Sequence, residues 1–537
     1  MSCPSSPWWK GATIYQIYPR SFLDSNGDGI GDLNGIRRKL DHVASLNVDA
    51  IWLSPFFTSP MKDFGYDVAD YCGVDPMFGT LEDFDTLVEE AHARGLRLII
   101  DQVYSHTSDA HDWFRQSRES RTGPKADWYV WADPKPDGSP PNNWQSVFGG
   151  PSWEWDGRRQ QYYFHNFLVS QPDLNVRNPE VQDALLDAAR FWLERGVDGF
   201  RLDAINFAIH DAQLRDNPPS GLDISKVTRP FDMQRHLYNM SQPEIPAFLE
   251  RVRALLNEYE ASFSVAEVVG ANPIGEMKAF TEGETRLHSA YNFDFLYAER
   301  LTPERVRRSL EQWSGADGEG WPSWAFSNHD APRAVSRWAS PAYRKQAADM
   351  LLLLLLALRG NAFLYQGEEL GLPQGEVAFE HLMDPEAIAN WPRTLGRDGA
   401  RTPFPWQSSE PNAGFSTGEP WLPVDPAQQA LAADTQDGAE GSTLELTRAL
   451  TAIRKASPAL RGGTMEFLPA PAGVLAFHRA LEAERWLCVF NLLGTPVDLP
   501  GALRPQGEVV ASAEGLSPAG TGLPEKLGAW SGFWARV

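Results

Sequence analysis

The chain has 537 residues, 42% of them hydrophobic and 22% charged, which allows about three domains, or one large barrel with attached domains, and excludes general disorder. Its 48 basic and 71 acidic residues give a net charge of −23, which argues against a nucleic-acid partner because phosphate backbones are bound by clusters of Lys and Arg. Cys3, Cys72 and Cys488 provide neither a disulfide framework nor a CxxC zinc pair, which favours a reducing compartment.

No segment of the sequence has the pattern of a secretion signal or a membrane anchor. The N-terminal residues lack a basic stretch followed by an apolar one. The longest apolar run, Met350–Leu358, has about half the length of a membrane-spanning helix, so we predict a buried helix there. The sequence therefore predicts a cytoplasmic protein without a membrane partner.

Short runs of β-branched and aromatic residues alternate with segments of helical periodicity, such as Leu81–Arg94 and Val181–Arg195. Eight runs are predicted to be strands: Thr13–Tyr18, Ala50–Leu53, Arg97–Val103, Gly199–Asp203, Ser262–Glu267, Tyr291–Phe295, Trp324–Ser327 and Ala362–Tyr365. This alternation predicts an α/β fold, the (β/α)8 TIM barrel. An open doubly wound sheet also alternates, but the regular repeat favours closure.

Two long segments interrupt this alternation, and a third region ends it. Residues 105–175, rich in Trp, Pro and Gly, are predicted to form an inserted subdomain after the third strand, since loops of that length seldom lack structure of their own. A loop excursion, 207–246, follows the fourth strand. Residues 460–537 contain strand-like runs without helices and predict a C-terminal all-β domain, which leaves 1–104 and 176–459 for the barrel.

Charged and imidazole side chains stand at the carboxyl ends of four predicted strands: Asp101, His106, Arg201, Asp203, Glu267, His329 and Asp330. In a (β/α)8 barrel the loops after the strands form the active site, so these side chains are expected to meet at one end. Any one of them could be an ordinary surface ion pair, but their recurrence at four strand ends predicts an enzyme.

Five motifs in this order resemble those of a known enzyme family: DQVYSH (101–106), QPDLN (171–175), GFRLDAIN (199–206), EVVG (267–270) and FSNHD (326–330). QPDLN is similar to a region of the oligo-1,6-glucosidase and α-glucosidase subgroup, and the other four resemble the sequence regions of the α-amylase family, glycoside hydrolase family 13. The resemblance extends from IYQIYPR (14–20) to the β-rich C terminus. Ser105 departs from the family, which usually has Asn there, and this bears on one hydrogen bond near the site.

The resemblance implies three catalytic carboxylates. Asp203 would be the nucleophile and Glu267 the general acid/base, and Asp330 would be the third carboxylate, which holds sugar hydroxyls. A retaining glycosidase needs such a pair of carboxyl groups about 5–5.5 Å apart. Arg201 precedes Asp203 by two residues on the same strand, so both side chains point the same way, and Arg201 is expected to keep Asp203 ionised.

Further residues are implied to bind the first sugar. His106 and His329 would be hydrogen-bond donors to its hydroxyls. Asp63 and Arg397 would close off its non-reducing end, and Tyr66 would stack on its face. A closed end implies a pocket, and a pocket implies removal of one glucose at a time from chain ends.

The leaving-group side is implied in the same way. Phe148 and Phe167 in the inserted subdomain, and Phe293 after the sixth strand, would line that subsite. Ala204 directly follows the implied nucleophile. In the subgroup, Val at this position tends to go with α-1,6 bonds and Ala or Thr with α-1,4 bonds, so α-1,4 substrates such as maltose are expected to be preferred.

The loop DSNGDGIGD (24–32) places oxygen ligands at alternating positions: Asp24, Asn26, Asp28, the carbonyl of Ile30, and Asp32. Gly35 stands where an EF-hand has its Glu, so an EF-hand is excluded. Related α-glucosidases hold a divalent cation in this loop, and we expect Ca²⁺, or Mg²⁺, in a structural role. No organic cofactor is expected.

These observations together predict a retaining exo-acting α-glucosidase that releases α-glucose through a covalent glucosyl-enzyme intermediate, with transglucosylation as well. The partner would be a small oligosaccharide, and the protein a monomer or small homo-oligomer. One alternative is a related enzyme acting on α-1,6 oligosaccharides or sucrose. Another is a noncatalytic barrel like the amino-acid transporter heavy chains, but those are membrane-anchored and have lost the catalytic carboxylates that this chain keeps.

Overall fold

Eight parallel strands close into a barrel in a computed structural model, which describes residues 7–313, 318–393, 396–504, 507–513, 515–516 and 525–537. Each strand pairs with its neighbours in the sequence, and the eighth pairs with the first. The strands are β1 (Thr13–Ile17), β2 (Ala50–Leu53), β3 (Arg97–Val103), β4 (Gly199–Asp203), β5 (Phe263–Val268), β6 (Ser289–Asn292), β7 (Trp321–Ala325) and β8 (Asn361–Tyr365). The predicted (β/α)8 barrel is therefore confirmed.

The barrel interior is filled by apolar side chains from alternate strand positions. Ile14, Trp52, Ile99, Val265 and Phe363 belong to one buried cluster inside it. A larger apolar cluster lies between the outer faces of the strands and the helices. Because both faces of each strand are covered, the strand sequences are almost continuously apolar. The polar side chains at the carboxyl ends of the strands therefore lie directly above a close-packed apolar layer.

Helices surround the barrel, and several begin at side-chain caps. The helix Leu81–Ala93, for example, starts with a reciprocal capping box between Thr80 and Asp83. The other α-helices are Leu33–Arg38, Leu40–Ser45, Asp112–Glu119, Pro179–Glu194, Ile245–Leu256, Pro273–Thr281, Pro303–Leu310, Ala334–Trp338, Arg344–Ala357, Pro385–Asn390, Pro426–Gln429, Ala433–Gln436, Thr443–Ala456 and Pro458–Gly462. Short 3₁₀ turns span Pro19–Ser21, Ile205–Phe207, Ile224–Lys226, Pro230–Met233, Pro341–Tyr343, Glu368–Leu370, Phe379–His381, Asp398–Ala400, Pro411–Gly414 and Gly501–Leu503.

The segment after β3 has a small core of its own. An antiparallel sheet orders its strands as Trp131–Ala132, Gln161–Phe164 and Trp153–Asp156. Trp144 packs with this sheet and donates a hydrogen bond of 2.8 Å to the carbonyl of Arg215 in the excursion after β4. The two long insertions are thereby joined beside the mouth of the barrel. A second antiparallel pair, Phe57–Thr58 with Asp70–Val74, follows β2.

Two of the predicted strands lie two or three residues too close to the C terminus. β6 begins at Ser289, not Tyr291, and β7 spans Trp321–Ala325, not Trp324–Ser327. Small polar residues open β6, and Pro322 lies inside β7, where proline usually argues against a strand. Phe293 therefore lies in the loop after β6.

The C-terminal region forms an antiparallel sheet, as predicted. Its strands in spatial order are Thr464–Phe467, Val474–Leu481, Glu484–Asn491, Ser531–Arg536, Val509–Ser512 and Gly515–Leu516, and a separate pair is Val497–Asp498 with Lys526–Leu527. Cys72 and Cys488 are unpaired in the part of the chain that the structure describes, and Cys3 lies outside that part.

The apolar run near residue 350 forms the buried helix Arg344–Ala357, as expected. Two buried arginines from later in the chain donate to carbonyls at and just after its C-terminal end. Arg454 donates to the carbonyls of Leu358 (3.3 Å) and Gly360 (2.6 Å), and Arg479 donates to that of Ala357 (2.7 Å). Among the described residues, no helix is long and apolar enough to cross a membrane.

Candidate active site

Arg201 stands at the centre of a group of carboxylates at the open end of the barrel. Its Nη1 donates to Asp101 at 2.6 Å and also to Asp203, and its Nη2 pairs with Glu267. The four side chains come from β3, β4 and β5, which are neighbours in the barrel. One guanidinium thus brings together two of the three implied catalytic carboxylates.

The residue after Asp203 has an unusual backbone. Ala204 has φ 39° and ψ 39°, in the left-handed region that disfavours branched side chains. Its N–H donates to Oε2 of Glu267 at 3.2 Å. The side chain of Ala204 belongs to a small buried cluster with Phe207 and Met240, and the partly buried Phe167 and Phe231 pack against that cluster. The turn after β4 therefore links the implied nucleophile to the implied acid/base.

A chain of hydrogen bonds runs from β1 across the site. The amide nitrogen of Gln16 lies 2.7 Å from Nδ1 of His329. Because that nitrogen can only donate, Nδ1 is the acceptor and Nε2 carries the proton. Nε2 of His329 then donates to the hydroxyl of Tyr66 at 2.5 Å, and this hydroxyl donates to Asp101 at 3.4 Å. The rings of Tyr66 and His329 stack at 5.4 Å.

Two arginines hold Asp330. Arg401 donates to its Oδ1 at 2.7 Å, and Arg397 lies 3.5 Å from the same atom. Burial lowers the pKa of His329 to about 3, so this imidazole is neutral at ordinary pH. Although burial raises the pKa of Asp330, the nearby positive charges hold it well below its usual range, and Arg401 and Arg397 supply them at neutral pH.

Arg397 also closes one side of the site. Its Nη2 donates to Asp63 and to Asp384, each at 2.9 Å. Gln171 donates to the other oxygen of Asp63 at 3.1 Å. Burial raises the pKa of Asp63, and Arg397 opposes that effect. The structure thus joins Asp63 and Arg397, which the sequence predicted at the non-reducing end of the first sugar, and places Asp330 beside them.

His106 is held by backbone and hydroxyl groups. Its Nε2 lies 3.1 Å from two groups, the carbonyl of Tyr66 and the amide nitrogen of Gln171. Ser105, in the position where the family usually has Asn, places its hydroxyl 2.9 Å from Nδ1. The Ser105 hydroxyl therefore contacts this ring in place of the family's Asn, and it can donate or accept. Burial lowers the pKa of His106 to about 4.

The aromatic residues expected at the leaving-group side lie beside these groups. Phe167 lies 5.0 Å from the ring of His106 and 6.1 Å from that of Phe148. The guanidinium of Arg397 lies 5.2 Å over the ring of Phe148. Phe293 packs edge-on against Tyr297, whose hydroxyl donates to the carbonyl of Asp330 at 3.0 Å.

Burial raises the pKa of Asp203 well above its usual value, and the carboxylates of Glu267 and Asp101 act in the same direction against Arg201. The sequence suggested that Arg201 would keep Asp203 ionised, and the raised pKa of Asp203 runs against that expectation. The physical reason is that Arg201 contacts three carboxylates, so one positive charge is divided among them.

The loop after β1 carries the expected oxygen groups. Its carboxylates and amide accept backbone N–H groups of the same loop: Asp24 those of Asn26, Gly27 and Gly29, Asn26 that of Asp28, Asp28 that of Ile30, and Asp32 that of Ser25. Oxygen donors are the ligands that a hard cation prefers, but Asp24 also accepts from the hydroxyl of Ser416 at 2.6 Å, so its two oxygens already accept four hydrogen bonds. In the residues described, however, no three His, Cys, Asp or Glu side chains converge as a metal site would need.

Several site residues escaped the sequence analysis. Gln171 lies inside a motif that was recognised, but its contact with Asp63 was not foreseen. Arg401 lies four residues after Arg397, in the same GRDGART segment. Asp384 and Tyr291 carried no signal in the sequence, because their roles depend on contacts between distant loops and strands.

The chain matches known proteins along its whole length. Residues 16–463 match the family model "Alpha amylase, catalytic domain". The sequence is 50% identical to a "Probable alpha-glucosidase" of Rhizobium meliloti (strain 1021), over 99% of this chain and 98% of that protein. It is 36% identical to an "Oligo-1,6-glucosidase" of Heyndrickxia coagulans, over 90% and 92% of the two chains. A crystal structure of an "alpha-glucosyl transfer enzyme" superposes with a TM-score of 0.92 at 50% identity, covering 99% of this chain and all of the other.

Proposed function

Since the chain belongs to the α-amylase family, we infer that it is an α-glucosidase that removes glucose from the non-reducing ends of short α-glucosides with retention of configuration. The observation that carries this inference is the shared guanidinium of Arg201, which contacts both Asp203 and Glu267. A nucleophile and an acid/base on adjacent strands are the two groups that a retaining glycosidase uses.

In the proposed first step, Glu267 gives its proton to the glycosidic oxygen as the bond from that oxygen to the anomeric carbon breaks. The carboxylate of Asp203 forms a bond to the same carbon from the opposite face. In the second step Glu267 takes a proton from water, whose oxygen displaces Asp203. A sugar hydroxyl in place of water gives transglucosylation, and similarity to a glucosyl transfer enzyme supports that activity.

The first sugar is proposed to sit against Asp330, His106, His329 and Tyr66, with Asp63 and Arg397 at its far end. The ion pairs of Arg397 with Asp63 (2.9 Å) and Asp330 (3.5 Å) support a closed pocket. A closed pocket favours exo action, because only a chain end can enter it. Phe148, Phe167 and Phe293 are proposed to line the leaving-group side.

Replacement of Asp203 by Asn tests this assignment. The variant keeps the shape of the side chain and loses the nucleophile, so the kcat/KM for maltose should fall more than about 100-fold while the melting temperature stays near that of the wild type. NMR of the first product formed by the wild type should show α-glucose. Residual activity above about a hundredth, or β-glucose as the first product, would contradict the mechanism.

An enzyme of the same family acting on α-1,6 oligosaccharides or on sucrose is the second candidate, and similarity to an oligo-1,6-glucosidase favours it. Incubation with maltose, isomaltose and sucrose, followed by chromatography of the products, separates the two. Faster release of glucose from maltose supports the first candidate. Faster turnover of isomaltose, or conversion of sucrose into an isomer, supports the second.

We further propose that the loop Asp24–Asp32 holds Ca²⁺, or Mg²⁺, through Asp24, Asn26, Asp28, the carbonyl of Ile30, and Asp32. The alternation of oxygen donors supports this proposal, and the cation would have a structural role. A cytoplasmic location and a monomeric or small homo-oligomeric state also remain predictions. Cell fractionation and size-exclusion chromatography would test them.

A further inference from the structure

The hydroxyl of Tyr291 joins Arg201 to Glu267 beneath the carboxylates. Its oxygen lies 3.0 Å from Nε of Arg201 and 2.9 Å from Oε1 of Glu267. A guanidinium Nε can only donate a hydrogen bond. The hydroxyl therefore accepts from Arg201, and its own proton points at Glu267.

The surroundings of Tyr291 fix this arrangement. The side chain is 1% exposed, and its ring lies 6.3 Å from that of Trp52 and 5.7 Å from that of Phe363. Burial raises the pKa of Tyr291 well above its usual value, so the hydroxyl keeps its proton at working pH. Because its ring is held by packing and its hydroxyl keeps the proton, Tyr291 is a hydrogen-bond donor with a fixed position.

The two oxygens of Glu267 have different partners. Oε1 meets Tyr291 and Arg201, both from the barrel wall. Within the described part of the chain, Oε2 receives only the weaker contact from the N–H of Ala204, at 3.2 Å, next to the proposed nucleophile. Proton transfer to a leaving group needs one carboxyl oxygen at a defined place.

We propose that Tyr291 is a positioning residue for the proposed reaction. Its hydroxyl anchors Oε1 of Glu267, so that Oε2 gives its proton to the departing glycosidic oxygen and later takes one from water. The inference rests on the proposed acid/base role of Glu267. Tyr291 itself does not touch the substrate.

The test compares Tyr291→Phe with wild type on two substrates. Maltose has a poor leaving group that needs the proton, and 2,4-dinitrophenyl α-glucoside has a good one that does not. Loss of a hydrogen bond to a charged group is expected to lower the kcat/KM for maltose about 10- to 100-fold, and that for the dinitrophenyl substrate less than about threefold. An equal loss on both substrates, or no loss on either, would overturn the proposal.

Glu267→Gln and the double variant separate this inference from the proposed function. If Tyr291 acts through Glu267, adding Tyr291→Phe to Glu267→Gln should change the kcat/KM for maltose less than about twofold, because coupled residues are not additive. If the two substitutions lowered kcat/KM independently, so that their separate effects multiplied in the double variant, the proposed role of Tyr291 would be wrong. If Glu267→Gln alone lowered both substrates equally, the proposed acid/base role would fail instead.

Tyr104→Phe is a matched control. The Tyr104 hydroxyl is buried and has no hydrogen-bond partner in the described part of the chain. Its loss should therefore leave the kcat/KM for both substrates unchanged. Melting curves establish that each variant is folded. If Tyr291→Phe does not fold, Tyr291→4-aminophenylalanine keeps an N–H donor at the position of the hydroxyl and should retain the wild-type ratio of the two substrates within about threefold. A ratio shifted toward the dinitrophenyl substrate would then overturn the proposal.

Discussion

Ala204 is constrained in two ways, through its backbone conformation and through the packing of its side chain. Its backbone is left-handed, which turns its N–H toward Glu267, and its side chain lies among the aromatic residues of the proposed leaving-group side. A larger side chain would disturb both. The residue is therefore a sensitive position for linkage preference.

Replacing Ala204 by Val should lower the ratio of kcat/KM for maltose to that for isomaltose. Extra methyl groups crowd an α-1,4 leaving sugar, whereas an α-1,6 sugar hangs on a further rotatable bond and can swing clear. The expected change is about 10- to 200-fold. Ala204→Gly relieves the left-handed backbone without adding volume, so it should leave the ratio near that of the wild type. A ratio unmoved by Val would show that crowding here does not set linkage.

Residues that belong to motifs could be placed from the sequence, and those defined by contacts could not. Asp203 and Glu267 follow recognisable strand ends, so their meeting was predictable from barrel topology. Tyr291 lies on a strand whose start was misjudged, because Ser289 and Ala290 are not typical strand formers. Asp384 contacts Arg397 because the long loop that contains both residues folds back on itself. No local sequence pattern predicts that contact.

At the scale of elements, the loop that follows β8 supplies the closed end of the site. Arg397 holds Asp384 within the loop and Asp63 from the loop after β2. Asp384 in turn accepts the backbone N–H of Arg397 at 2.7 Å, so the arginine is held at both its main chain and its side chain. The loop and the pocket wall form one hydrogen-bonded unit.

Replacing Arg397 by Met should therefore open the pocket. Loss of hydrogen bonds between charged groups predicts a fall of about 10- to 100-fold in kcat/KM for maltose, mainly through KM. Arg393→Met, in the same loop at an exposed position, is the control and should have little effect. Equal kinetics for Arg397→Met and wild type would argue against a closed non-reducing end.

The loop after β1 gives a second prediction at this scale. A cation bound to the folded state alone stabilises it by mass action, so a chelator should lower the melting temperature. Replacing Asp28 by Asn removes one charge from the loop and should weaken that dependence. Elemental analysis of purified protein measures the bound cation directly. Absence of Ca²⁺ and Mg²⁺, with a melting temperature unchanged by chelator, would count against the site.

At the scale of the whole molecule, the N-terminal segment covers the end of the barrel opposite the active site, where Trp8 and Trp9 pack against the interior cluster. Trp9 stacks on Phe263 at 5.7 Å and meets the ring of His288 at 5.0 Å. Burial, with a smaller contribution from the charge of Arg253, lowers the pKa of His288 to about 3. In the unfolded chain this imidazole would titrate near pH 6.5. The folded state therefore binds fewer protons than the unfolded state between these values.

This linkage predicts a pH-dependent effect of replacing His288 by Asn. At pH 7 the variant should melt below the wild type, because it loses ring contacts. As pH falls below 6.5, protonation of His288 in the unfolded wild type removes about 1.4 kcal/mol from its stability by pH 5.5. The gap in melting temperature between variant and wild type should therefore narrow. A gap that stays constant from pH 7 to 5.5 would show that His288 does not titrate on unfolding.

The two arginines that cap the helix Arg344–Ala357 have a consequence for synthesis on the ribosome. The last barrel strand ends at Tyr365, but the carbonyls at the end of this helix receive their donors from Arg454 and Arg479. Buried carbonyls without donors are costly. A nascent chain that has completed all eight strands therefore still lacks these donors. We expect the end of this helix to gain its full set of donors only after Arg479, in the first hairpin of the C-terminal sheet, has been synthesised.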